Sequence, residues 1–419
     1  MLIEYSRLRL GIGIALAIAI LLAGVLLFRL DTAGRQLADQ SRLLIFSKAK
    51  TTKAAAVPPL ARFQHALAYQ PLNPRLVSGM VYVRSEGMKN RQVVAQGDTV
   101  LGRLGWRDNV AIQNRLFVAA DKRDVFRALD LIDSLLRRDQ LTAEITPLLN
   151  AMETIPEARA EIARRLKNAP PWRESYLTTV GGLKTGPLIE GRYRLLTALE
   201  GGSGKLSTAE LAPSVARIAN AGKIEEASTL WQEHVGKPKD GSVLLDGDFV
   251  RFAAADFGQG TGVPFEWYSS AGAGFSVTPI EGANGADVEI RWDGRRVPMF
   301  LNQIVSAAPG EYRLIVRVAD APSTAQEMLQ FSADCVTGAR NIFRFVRTID
   351  RQRLEYASDG PIECRDYRFS VRGFVTARDV SEPRIRSVPV MPVSRVTSLS
   401  ELALVPARLR SATGAAKQR

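Results

Sequence analysis

The sequence predicts a multidomain α + β chain in three successive parts: an N-terminal transmembrane helix, an α-solenoid, and an antiparallel β-sandwich. Three observations predict it. Gly11–Phe28 is an uncharged apolar run, residues 58–240 carry apolar side chains at helical spacing, and residues 243–378 are strand-patterned, with runs that alternate apolar and polar at period two. The 419 residues are enough for two or three domains, each with its own core. An apolar fraction of 46% and a charged fraction of 24% exclude global disorder, a disulfide-dense mini-scaffold and a multi-pass membrane protein. Two His and two Cys leave little room for metal chemistry built on those ligands.

At 1.5 Å per residue, Gly11–Phe28 spans roughly 27 Å, close to the thickness of a bilayer's hydrocarbon core. Residues 1–30 are therefore expected to form a cytoplasmic tail and membrane anchor. A cleavable signal peptide is the alternative. It would have a shorter apolar region followed by a small-x-small site, whereas Leu26-Leu27-Phe28-Arg29 follows here. Arg7 and Arg9 favour a cytoplasmic N-terminus, while Arg29, Arg35, Arg42 and Lys48 argue weakly the other way. Residues 31–57, polar, basic and rich in Ala and Thr, are expected to be a juxtamembrane linker.

Residues 58–240 carry the helical pattern. In Asp124–Leu136, the side chains Val125, Leu129, Ile132 and Leu136 fall on one stripe, with Arg127, Asp130 and Asp133 off it. Asn168–Pro171 and Gly201–Gly204 are breaks between short helices, a pattern suited to stacked helical repeats. Two stretches are more specific. Phe63, Ala66 and Pro71 recur at the spacing of the second helix of a tetratricopeptide repeat and its terminating Pro. Gly222, Ala227 and Trp231 occupy what resemble its turn, small-residue and aromatic positions. Gly permits the turn, and Ala lets two helices approach closely. Arg127-Ala128-Leu129-Asp130 resembles a third, degenerate copy. No clean 34-residue period runs through the block, so an irregular helical bundle is the alternative.

From Leu244 the pattern changes. Asp287–Trp292 puts Val288, Ile290 and Trp292 on one face and Asp287, Glu289 and Arg291 on the other. Glu311–Val318 and Tyr367–Phe374 are similar, and Gly and Pro punctuate the runs, as in a β-sandwich of jelly-roll type. The order Leu245–Phe249, Pro264–Trp267, Leu301–Gln303 and Pro309–Tyr312 resembles the C-terminal sandwich of membrane-anchored, repeat-containing bacterial proteins associated with extracellular polysaccharide. The sandwich itself is similar to carbohydrate-binding jelly rolls. The resemblance, repeats included, covers roughly three quarters of the chain, and its motifs are short and structural. It implies a periplasmic body, a membrane-protein partner in polysaccharide assembly or export, and contact with glycan.

Residues 380–419 are rich in Pro, Arg, Ser and Ala and are expected to be a disordered basic tail, with Leu399–Leu404 as a short docking element. Cys335 and Cys364 both fall in the β block. In the cytoplasm they would be free thiols. In an oxidising compartment they would close a loop of about 30 residues and stabilise by roughly 3–4 kcal/mol. A late Cys pair also looks similar in the resembled family, and a disulfide is the expectation.

Catalytic motifs are absent from the sequence. Glu200–Lys205 fails the phosphate-loop pattern at Leu199 and Leu206 and is expected to be a linker. His65 and His234 are far apart, each expected to be structural or solvated. No cofactor, catalytic residue or metal site is expected, save Asp246 and Asp248 flanking Gly247 as a weak Ca²⁺ candidate beside the plain-turn reading. Trp267 and Trp292 share faces with core residues, which leaves Tyr268 as the better surface candidate for a sugar. The net charge of +13 is dispersed and does not point to nucleic acid. It suits anionic lipid near the anchor and an acidic polysaccharide. The expected function is a non-enzymatic, inner-membrane-anchored periplasmic accessory protein of polysaccharide assembly, polymerisation or export. The alternative is a structural scaffold of an envelope complex.

Overall fold

In the computed structural model, the described residues are 59–85, 89–104, 107–139, 142–202, 204–254, 262–270, 272–282, 285–294, 297–319, 328–337, 342–347, 354–374 and 395–407. The expected anchor, with Gly11 and Phe28, and the 31–57 linker lie outside them. Among the described residues, twelve helices precede ten strands, all antiparallel, giving a mixed α + β chain. No described helix is long and apolar enough to cross a membrane.

The chain divides into two compact units, and the division falls between Leu148 and Leu149, inside a helix. In the first unit lie α1 (Leu60–Tyr69), α2 (Pro74–Arg84), α3 (Arg91–Leu104), α4 (Asn109–Asp121), α5 (Val125–Leu136) and the start of α6 (Thr142–Met152). Short side chains start several of them. The Asn73 carboxamide accepts the N–H of Arg75 and Leu76 ahead of α2, whose first residue is Pro74. Asp108 and Asp124 cap α4 and α5 in the same way. Of the expected α5 stripe, Leu129, Ile132 and Leu136 are buried and Val125 is half-buried; Asp130 is exposed, while Arg127 and Asp133 are half-buried. Across the unit, buried Asp98 on α3 accepts from Arg127 on α5 and faces Arg115 on α4, tying three helices together.

The second unit begins with the end of α6. It continues through α7 (Pro156–Leu166), α8 (Arg173–Thr178), α9 (Gly186–Glu200), α10 (Thr208–Asn220), α11 (Ile224–Val235) and α12 (Val250–Ala254). A box of Ser207 and Glu210 caps α10, and the same Glu210 pairs with Arg173, whose guanidinium also donates to three carbonyls. Odd-numbered helices start at Leu60, Arg91, Val125, Pro156, Gly186 and Ile224, 30 to 38 residues apart.

The strands are β1 (Tyr268–Ser269), β2 (Phe275–Gly282), β3 (Gly285–Trp292), β4 (Met299–Ser306), β5 (Tyr312–Val318), β6 (Leu329–Cys335), β7 (Ile342–Arg347), β8 (Leu354–Ser358), β9 (Asp366–Gly373) and β10 (Arg395–Pro406). Their order is β1-β4-β9-β6-β7-β8-β5-β10-β3-β2. Strand β7 changes partner halfway: Ile342–Arg344 pair with β6, and Phe345–Arg347 with β8. Side chains from both halves of the sheet therefore meet in one core, with Trp267, Trp292, Phe300, Phe331, Phe369 and Leu402 all buried. The Cys335 and Cys364 sulfurs are bonded at 2.00 Å, tying the end of β6 to the segment before β9.

Two expected boundaries are corrected. The helical block does not end as a domain at residue 240, because its later helices belong to the same unit as the sheet. There Arg365 pairs with Glu225 of α11, and the Arg251 guanidinium lies 5.7 Å from the Trp231 ring. The sheet does not end at residue 378 either. Arg395–Pro406, expected in the disordered tail, is the longest strand and lies between β5 and β3. Two hydrogen-bonded neighbours and buried Leu399, Leu402 and Leu404 outweigh the Pro- and Arg-rich composition around it. The rest of the expected tail lies outside the described residues.

Candidate functional site

Between α11 and α12 the chain runs through residues 236–249 and reaches the sheet along β10. The Val243 N–H donates to the Leu404 carbonyl, and the Leu402 N–H to the Gly247 carbonyl, both at 2.8 Å. Strand β3 pairs with β10 only over Arg395–Leu399, so this segment takes the edge that β3 leaves free. At the changeover β10 is irregular between Leu399 and Glu401. Such bulges re-aim side chains and recur beside functional sites.

The result is a cleft of about 720 Å³, within the usual range for a ligand pocket. Residues 235–251 form one wall, and Ala286, Asp287, Arg317, Ala319 and Ser400–Ala403 form the other. The entering segment turns sharply: Gly236 and Gly241 have positive φ, and so do Asp240, Asp246 and Phe249. Side chains seldom adopt that conformation, and its accumulation at one place is typical of sites where geometry serves a ligand.

Charge in the cleft is largely paired. The Asp246 carboxylate accepts the N–H of Arg251 and of Phe252, which anchors the start of α12. Burial nevertheless pushes its pKa up to about 6. Lys239 holds Asp248 at 2.6 Å, Arg317 holds Glu401 at 3.1 Å, and Arg251 pairs with Glu266. The cleft thus presents donors and acceptors side by side.

This arrangement also shows where the Ca²⁺ candidates stand. Both Asp246 oxygens are committed to backbone N–H groups, and Asp248 to Lys239. Among the described residues, no group of three or more His, Cys, Asp or Glu side chains is placed to hold a metal. Tyr268 is 61% exposed on edge strand β1, opposite Asn302 of β4. Register continues that row through Ser370 of β9 and Ser332 of β6 to Arg344 of β7. Tyr268 is not among the residues lining the cleft. Trp267 and Trp292 lie in the core, with the Trp267 indole donating to the Asp246 carbonyl.

Of the repeat-like residues, Phe63 is buried against Leu76, Ala66 packs beside them, and Pro71 lies in the following turn. Gly222 turns the chain between α10 and α11 at φ +86°, and Ala227 and Trp231 are fully buried. His234 has partners the sequence did not reveal. Its Nδ1 meets Glu200, and its Nε2 lies 3.2 Å from the Thr208 hydroxyl. Because a carboxylate only accepts, Nδ1 carries the proton in the neutral ring and Nε2 accepts from Thr208. The expected linker at Glu200–Lys205 therefore supplies a carboxylate that joins the ends of α9 and α11 to the start of α10. No signal short of the tertiary fold could have paired residues 34 positions apart.

No protein-family model matches the chain, and no curated protein matches its sequence.

Proposed function

We propose that the chain is an inner-membrane-anchored periplasmic accessory protein of a cell-surface polysaccharide system, non-enzymatic, with Gly11–Phe28 as its anchor. Its helices hold a membrane-protein partner of the assembly or export machinery, and its sheet unit contacts glycan. The observation that carries this reading is the strand order. Strands β3-β10-β5-β8 and β4-β9-β6-β7 form two four-stranded sets, with β1 and β2 added at the edges, as in a jelly roll. Alternate helices that start 30 to 38 residues apart support a repeat-like reading of the helices. The Cys335–Cys364 bond supports an oxidising compartment.

The test is affinity purification of the tagged full-length protein from detergent-solubilised membranes, with mass spectrometry of the proteins that accompany it. A polysaccharide polymerase, flippase or export component is expected. Division or secretion machinery in its place overturns the polysaccharide assignment.

A further inference from the structure

We propose that the cleft bounded by residues 235–251 and strands β3, β5 and β10 binds a segment of saccharide through its hydroxyl groups. This rests on the polysaccharide reading above and assigns the glycan contact to a place other than the Tyr268 face.

Three observations carry the choice of ligand. First, the cleft has room for a small oligomer, at about 720 Å³. Second, most of its charges have partners already, and Lys237 and Asp240, exposed in the same wall, are of opposite sign. An anion entering it meets Asp246, Asp248 and Glu401, and a cation meets Lys239 and Arg317, so neither gains an unopposed counter-charge. A ring of hydroxyls can use both members of each pair, since every hydroxyl donates one hydrogen bond and accepts others. Third, the pairs are reachable. The Lys239 side chain is 77% exposed and that of Arg317 65%, while Asp248 and Glu401, the carboxylates they hold, are less exposed at 34% and 27%. Exposed pairs of this kind hold their partners weakly and rearrange readily around a ligand. The irregularity of β10 places Ser400 in the same wall, one hydroxyl more at the point where the ladder is interrupted.

The experiment titrates full-length protein in detergent micelles with fluorescent cellotetraose, maltotetraose and a uronate tetramer, by thermophoresis. At least one neutral tetramer is expected to bind. Its affinity should fall about tenfold in Lys239→Ala and in Arg317→Ala, the loss of one good polar contact, and further in Ala319→Trp, which fills the cleft. Each variant's melting curve is recorded. Should Ala319→Trp fail to fold, the two alanine variants at exposed positions still decide. Binding that survives the cleft variants and is lost in Tyr268→Ala overturns the cleft assignment and leaves the polysaccharide reading standing. A uronate tetramer bound tenfold more tightly than either neutral tetramer overturns recognition by hydroxyls. Failure of all three tetramers to bind overturns the cleft proposal, while a polymerase or exporter in the affinity purification still upholds the accessory role.

Discussion

The N–H of Leu402 donates to the carbonyl of Gly247 at 2.8 Å, so the last strand of the sheet receives the chain as it leaves the helices. A side chain at residue 247 would overlap the Leu402 carbonyl oxygen. Gly247→Ala is therefore expected to destabilise the sheet unit by about 1–3 kcal/mol, the cost of overpacking. Gly310→Ala, where a Cβ meets open space, should change it by no more than about 0.5 kcal/mol. Urea unfolding of the two variants checks the contrast.

The same strand gives a sharper test. Ending the chain after Ser394 removes β10 from between β5 and β3 and strips both of a hydrogen-bonded neighbour. The shortened protein should lose the near-ultraviolet dichroism of its sheet aromatics and become protease-sensitive across residues 262–374. Had this segment been a disordered tail, both signals would survive.

Arg192 and Glu153 pair at 2.9 Å with no exposed surface on either side chain. Tyr176 also donates to Glu153, and Asn150 accepts from Arg192. Removing one charge leaves the other buried and unopposed. Arg192→Met should cost about 3–5 kcal/mol, and Arg192→Met with Glu153→Gln should recover part of that loss. Chemical denaturation of the single and double variants measures both.

Burial holds the Asp246 carboxyl up at about 6, above its ordinary value of 3.8, so the folded protein keeps this proton more tightly than the unfolded chain. Its contribution to stability is full below about pH 4 and is lost as pH rises through 6, amounting to roughly 1–3 kcal/mol. Thermal melts from pH 4 to 7 should show a decline in the wild type that is shallower in Asp246→Asn. Parallel curves would refute the assignment.

Cys335 and Cys364 stand 29 residues apart in sequence, and breaking their bond should cost about 2–4 kcal/mol. Protein purified without reductant is expected to show no free thiol on titration in denaturant. The paired serine variant should melt well below the wild type.

Much of the second unit's sheet was legible. Period-two alternation located β3, β5 and β9, and put Trp292 on the inward face, because a strand with one buried side must carry its apolar residues two apart. The α5 stripe was legible for the same reason at helical spacing. Strand β10 was not. Its segment alternates poorly and sits in Pro- and Arg-rich surroundings, and what orders it is a pair of neighbours more than 75 residues away in sequence. The site was less legible still. Asp246 and Asp248 drew notice as a possible cation site, but their partners Arg251, Phe252 and Lys239 follow from the left-handed turns of the 236–249 segment and not from spacing.

By itself, then, the sequence determined the α-then-β order, the inward faces of the main strands and the apolar stripe of α5, all of which depend on residues within a turn or two of one another. Only the tertiary structure decided that β10 closes the sheet, that Glu200 and Thr208 meet His234, and that a cleft opens where β10 exchanges β3 for the entering chain. Each of those depends on backbone hydrogen bonds or side-chain contacts between distant segments, whose energies exist only once the segments are brought together.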